Sequence, residues 1–164
     1  MKFGVIVFPG SNCDHDLIYV LSEILGNDVV ELWHKDKDLK GVDFVMVPGG
    51  FSYGDYLRSG AIARFSPVME SVIDHCNQGG YAMGICNGFQ ILCEAGLLPG
   101  TLLHNTQHKF ICKNLYLKPA TRSTIVTSGL DSDRVLKIPV AHGEGRYYAP
   151  DDVLRQLNEN EQVI

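Results

Sequence analysis

The chain reads as an α/β protein: an open, mostly parallel sheet with helices on both faces and an antiparallel extension in its C-terminal third. Three observations predict this. Short β-branched and aromatic runs alternate with amphipathic helical stretches up to about residue 98. The first runs carry no polar alternation, as expected of strands covered on both faces. After Pro99 the helical stretches cease and β-type runs follow one another directly.

The elements follow in order. "KFGVIVF" (2–8) is a buried strand that stops at Pro9-Gly10. In "SNCDHDLIYVLSEILGN", Leu17, Ile18, Leu21, Ile24 and Leu25 keep helical spacing, with Ser11 or Asn12 expected to cap the start and Gly26 to close the end. "DVVELWH" and "VDFVMVPGG" give a second and a third strand, and a glycine-bearing loop, "GGFSYGDYLRSG", follows. Ser66-Pro67 opens a helix whose stripe is Val68, Met69, Val72, Ile73 and Cys76, ending at Gln78-Gly79-Gly80. "YAMGIC" is the next strand and "NGFQILCEAG" the next helix, closed by Gly96. "FICKNLYLK", "STIVT" and "RVLKIPVAHGEGRYY" are then expected as β, before a short helix in "PDDVLRQLNENEQVI". The sheet so described is open and flavodoxin-like.

Composition narrows the function. Net charge is −5 with no basic cluster, which argues against nucleic acid as a partner. No apolar run approaches the roughly 20 residues of a membrane span. Five cysteines, an odd number with no Cys-x-x-Cys pair, predict free thiols in a cytoplasmic protein. No zinc-ligand spacing links them to the six histidines, and no metal site is expected.

One cysteine stands apart. In "GYAMGICNGFQIL", Cys86 lies between Gly84 and Gly88 where a strand passes into a helix. That is the pattern of a nucleophile elbow, Gly-x-Ser-x-Gly, with cysteine in the middle. The flanking glycines allow the close return of the chain. The helix N-terminus beside the sulfur favours the thiolate, and the Asn87 amide can meet a developing oxyanion. Cys13, Cys76, Cys93 and Cys112 are expected to be ordinary core cysteines. A second piece, "VPGGFSYGD" (47–55), opens at the same carboxyl edge of the sheet, where open α/β folds bind ligands. Gly49 and Gly50 permit a turn that aims amides inward, and the loop lacks the Gly-Lys-Ser/Thr ending of a phosphate loop.

Together with "VIVFPGSNCDHD" and "PVAHGEGRYY", these stretches resemble the triad (class I) glutamine amidotransferases, and more narrowly the glutaminase subunits of phosphoribosylformylglycinamidine (FGAM) synthases, from residue 3 to about 150. The resemblance implies that Cys86 attacks the side-chain amide of glutamine. Gly50, Phe51 and Asn87 would supply oxyanion amides, and Gln90 would help hold the substrate. No cofactor would be bound by this chain. ATP and magnesium would belong to an FGAM synthetase partner, with which an additional small subunit can associate.

The family's His-Pro-Glu motif is missing. Residues 1–164 are therefore expected to be a single amidotransferase domain lacking its C-terminal portion, and a polypeptide ending at Ile164 is expected to be nearly inactive. His142 and Glu144, at His-x-Glu spacing but only 56 residues after Cys86, are the alternative pair; a substrate-side or interface role, or a solvated loop, also suits them. Asp14, His15 and Asp16 read as helix-start residues before metal ligands, His104 and His108 as a wet loop, and Asp55 to Arg58 as the rim of the site or a synthetase contact. Trp33 is expected in the core, with His34 and His75 at the surface. Another cysteine hydrolase of the same fold and a non-catalytic binding subunit are the competing readings.

Overall fold

The structure, a computed structural model, describes residues 1–131 and 133–164. It divides into two units, Met1–Thr101 and Leu102–Ile164. The first holds β1 (Lys2–Val7), α1 (Asp14–Tyr19), β2 (Asp28–Trp33), β3 (Phe44–Val47), α2 (Pro67–Asn77), β4 (Tyr81–Gly84) and α3 (Asn87–Glu94). All four strands are parallel, in the order β2-β1-β3-β4. The direction of winding reverses between β1 and β3, so the crevice for a ligand opens at their carboxyl ends.

Side-chain alternation sorts the helices. Ile6, Leu32, Val45 and Val47 face one side and pack with Val68, Met69 and Val72 of α2 and Ile91 and Leu92 of α3. Val5, Phe44 and Met46 face the other side and meet Leu17, Ile18 and Leu21. Helices thus cover both faces, as the uninterrupted apolar strands require. On the α1 side the cover stops short of β4, where Tyr81, Met83 and Ile85 stay 37–47% exposed.

α1 differs in detail from its sequence signature. It begins at Asp14, its N-cap is Cys13 with no side-chain cap bond, and it widens to π geometry over Val20–Ile24. The Ser11 hydroxyl instead donates to the buried Asp14 carboxylate at 3.1 Å. Ser66 and Pro67 do open α2, although the Ser66 hydroxyl bonds to Tyr53 and not to the helix.

The second unit holds β5 (Thr101–Leu103), β6 (Ile111–Leu117), β7 (Leu136–His142), β8 (Arg146–Tyr148) and α4 (Asp151–Glu159). β6 and β7 form an antiparallel ribbon, and β5 pairs with β8. "STIVT" is not a strand: Thr124 to Thr127 close a turn in which the Thr127 and Ser128 amides donate to the Thr124 carbonyl. Local hydroxyl bonds between Thr124 and Thr127 outcompete the β propensity of the stretch.

Leu32 is fully buried between sheet and α2–α3. Leu32→Ala is expected to cost about 2–5 kcal/mol, read as a lower urea midpoint; an unchanged midpoint would show that this layer is not close-packed.

Candidate active site

The passage from β4 into α3 turns on one residue. Cys86 has φ 53° and ψ −109°, left-handed backbone that a side chain adopts only under strain. The turn is locked by the Gly88 amide on Ile85 at 2.9 Å and the Phe89 amide on Cys86 at 3.0 Å. The flanking glycines answer a close approach. A Cβ on Gly88 would overlap the Val47 carbonyl at the end of β3, and one on Gly84 would overlap the backbone of Gly88 and Phe89. The first turn of α3 therefore sits directly on the sheet, and Cys86 projects outward and is exposed.

Cys86 lines a cavity of about 300 Å³ with Cys13, Asp16, Leu17, Val20, Gly49, Gly50 and Ile85. Loops after β1, β3 and β4 and the outer side of α1 all contribute, at the switch point of the sheet. Cys13 was expected in the core and is exposed, because it sits in the β1 loop at the cavity and not on an apolar helix face. Its thiol is pushed up by burial, then by Asp16, Cys86 and Asp14. Cys112 is also exposed, whereas Cys93 is buried, its thiol pushed up to about 11 by burial and Glu94.

The loop after β3 leans on the loop after β1. Gly50 adopts φ +124°, and a Cβ there would strike the backbone of Asn12 and Ser11. The Phe51 amide donates to Gly10 at 3.0 Å and the Tyr53 amide to Pro9 at 2.6 Å. Phe51 is therefore occupied and does not offer its amide in this conformation. The Gly50 and Asn87 amides have no hydrogen-bond partner among the described residues. The Asn87 side chain, 1% exposed, accepts from the Ser52 amide at 3.1 Å and donates to Asp55 and to Gln90, each at 3.0 Å. Gln90 thus presents its oxygen to Asn87.

Fasteners surround this core of the site. Arg58 grips Glu94 of α3 through two 2.7 Å bonds, and Thr101 adds a third at 3.0 Å. Tyr56 and Leu57, between Asp55 and Arg58, are 72% and 92% exposed. The Tyr53 hydroxyl bridges His34 at 2.5 Å and Ser66 at 2.9 Å. His34, expected at the surface, is buried, and burial pushes its pKa down. Trp33 is the exposed neighbour, since β2 is an edge strand and the two side chains alternate. His75 is half-buried beneath Gly80 rather than free on the surface.

His142 and Glu144 lie in the second unit. His142 Nδ1 faces the Asn105 side-chain oxygen at 3.0 Å, and Glu144 faces His104 Nδ1 at 3.3 Å. A carboxylate-oriented base needs the acid on that ring nitrogen; here buried Asn105 takes the place and also ties down Gly145 and the His142 carbonyl. Among the described residues no three His, Cys, Asp or Glu groups converge as a metal site, and Asp14 is engaged by Ser11 and the His15 amide.

A cysteine elbow, a glycine loop with an unpaired amide and a cavity come together at the switch point of an open α/β sheet, the class of site that cysteine hydrolases and glutamine amidotransferases of this fold share. The chain belongs to the CobB/CobQ-like glutamine amidotransferase domain family, which it matches over residues 1–164. Relatives it is similar to include subunits PurQ of phosphoribosylformylglycinamidine synthase. It is 55% identical over 164 residues to the one from Moorella thermoacetica, covering 100% of this chain and 70% of the relative. To that of Salinibacter ruber it is 53% identical over 163 residues, covering 99% and 69%. The PurLQS structure from Thermotoga maritima superposes with a TM-score of 0.84 at 43% identity, over 92% of this chain and 70% of that one. A second Thermotoga maritima glutamine amidotransferase, 14% identical with a TM-score of 0.60 over 92% and 64%, shares the fold.

The Arg58 hydrogen bonds hold the Glu94 carboxyl below its ordinary value of 4.5, against the opposing effect of burial. A depressed carboxylate stabilises in full above the unfolded value, and that contribution is lost as pH falls through the folded one. Arg58→Ala is accordingly expected to lower the melting temperature at neutral pH, with the gap to wild type closing below pH 4.5. Melting curves across that range check this; a gap independent of pH would mean that Arg58 acts by packing alone.

Proposed function

We propose that this chain is the glutamine-hydrolysing subunit of an FGAM synthase, releasing ammonia from glutamine for an ATP-dependent synthetase in purine biosynthesis. The observation that carries the chemistry is the exposed Cys86, held left-handed at a cavity that Gly50 also lines, with the unpaired Asn87 amide next in the chain. Family membership selects glutamine as the substrate.

In this reading the Cys86 sulfur attacks the side-chain amide carbon, and the Asn87 and Gly50 amides receive the oxyanion. The tetrahedral intermediate collapses, breaking the C–N bond; ammonia leaves after taking a proton, and a thioester remains. Water then adds to the thioester and displaces the sulfur, giving glutamate. Losing one oxyanion donor would slow such a step about 10²–10³-fold. We assign proton transfer to a His-x-Glu pair outside residues 1–164, as the resemblance to triad amidotransferases implies, since Glu144 faces His104 and not His142. Gln90 holds glutamine from the first turn of α3. ATP and magnesium belong to the synthetase, and five unpaired thiols suit the cytoplasm.

Cys86→Ala in the complex is expected to abolish glutamine-dependent synthesis while ammonia-dependent synthesis by the partner persists. A glutamine-like affinity label should attach to Cys86 and be excluded by glutamine. Loss of both synthetic activities would assign Cys86 to the fold, and labelling indifferent to glutamine would favour another cysteine hydrolase.

A further inference from the structure

We propose that the side-chain amide of Asn87 is a positioning group that fixes the glycine loop against the elbow, and so sets the distance between the two oxyanion donors. This rests on the thioester reading above. The backbone amide of residue 87 would be present whatever its side chain, so the oxyanion role alone does not require asparagine.

Asparagine is a poor choice for a buried helical position, because an unsatisfied buried amide costs free energy. Here the amide is satisfied on both ends. Its oxygen holds the Ser52 amide, and its nitrogen gives one hydrogen to the Asp55 carboxylate and the other to Gln90. Ser52 and Asp55 bracket a stretch in which Tyr53 and Gly54 are left-handed, and Asp55 itself has φ 52°. Such a stretch keeps its shape only where its surroundings over-determine it. The bonds of Phe51 and Tyr53 tie the loop to Gly10 and Pro9, that is, to β1. The Asn87 bonds tie it to α3, two residues beyond Gly50. An oxyanion donor must lie within about 2.7–3.1 Å of the developing charge. A loop free to drift from the elbow would bind glutamine and still fail in the transition state.

The Asn87–Asp55 bond has a polarity, and reversing it makes the test. The variants are Asn87→Asp, Asp55→Asn and the pair together, in the glutaminase–synthetase complex. Asp55→Asn keeps an acceptor oxygen but weakens a charge-assisted bond, and it is expected to lower kcat by less than Asn87→Asp does. Asn87→Asp sets two carboxylates against each other. It is expected to lower kcat for glutamine about 10²-fold with KM nearly unchanged. It should weaken the aldehyde analogue of glutamine, whose adduct with Cys86 carries the oxyanion, by a similar factor. Alkylation of Cys86 by iodoacetamide, which needs no oxyanion donor, should change little. In the pair, the amide introduced at position 55 donates to the carboxylate introduced at position 87, and most of the lost kcat should return.

Wild-type kcat in Asn87→Asp overturns the proposal. So does a pair no better than Asn87→Asp, or a loss that appears equally in alkylation and melting temperature. Should Asn87→Asp not fold, the pair alone decides: folded and active supports the tether, anything else refutes it. Cys86→Ala alongside separates the two readings. Glutamine-dependent synthesis retained there overturns the thioester chemistry, whereas loss there with wild-type kcat in Asn87→Asp overturns only the tether.

Discussion

The backbone of Cys86 occupies a left-handed region that costs an L-residue about 1–3 kcal/mol, and every other feature of the site is arranged around that turn. The conformation points the side chain away from both β4 and α3 and into the cavity. It also leaves the next amide, that of Asn87, without an intrachain acceptor, because the chain has not yet made a helical turn. Exposed sulfur and unpaired amide thus lie side by side, one set by the dihedral angles of Cys86 and the other by the start of the helix. The turn is tight enough that α3 must rest on the end of β3, which excludes a Cβ at Gly88 and at Gly84.

The sheet supplies the second half. Order β2-β1-β3-β4 brings the loops after β1, β3 and β4 to one edge. The β1 loop supports the β3 loop through Gly10 and Pro9, and the β3 loop in turn faces the elbow. The β3 loop is thus held from both sides, by the β1 loop and by Asn87 at the start of α3. Two thiols end up in the cavity, Cys13 and Cys86. Burial and then Asp16, Cys86 and Asp14 push the Cys13 thiol up.

Much of this was legible in the sequence. The apolar strands, the Ser66-Pro67 start and the glycine-flanked cysteine depend on local propensities, and all appear where the spacing places them. The reading lost accuracy where a residue's environment comes from elsewhere in the chain. His34 looks like a surface residue beside charged neighbours, yet Tyr53 and Ser66, from distant loops, enclose it. Trp33 looks like core, but its strand lies at the sheet's edge. "STIVT" has β composition, and its own hydroxyls close it into a turn. The Asn87 side chain was invisible for the same reason: its partners Ser52 and Asp55 lie more than 30 residues away.

The distribution of strain explains why a small site carries so many buried polar bonds. Of the seven non-glycine residues with positive φ among the described residues, Tyr53, Asp55, Leu57 and Cys86 belong to the glycine loop, its continuation and the elbow. Left alone, such a segment would relax toward ordinary backbone, and the Gly50 amide would move with it. The fasteners fall on or beside the strained residues: Tyr53 on His34 and Ser66, Asp55 on Asn87, Arg58 next to Leu57 on Glu94. Two of these three end on α3, the helix that Cys86 caps. The polar network therefore does more than add stability. It holds a loop in a strained shape, and it does so relative to a helix whose approach to the sheet is set by the glycines at 84 and 88.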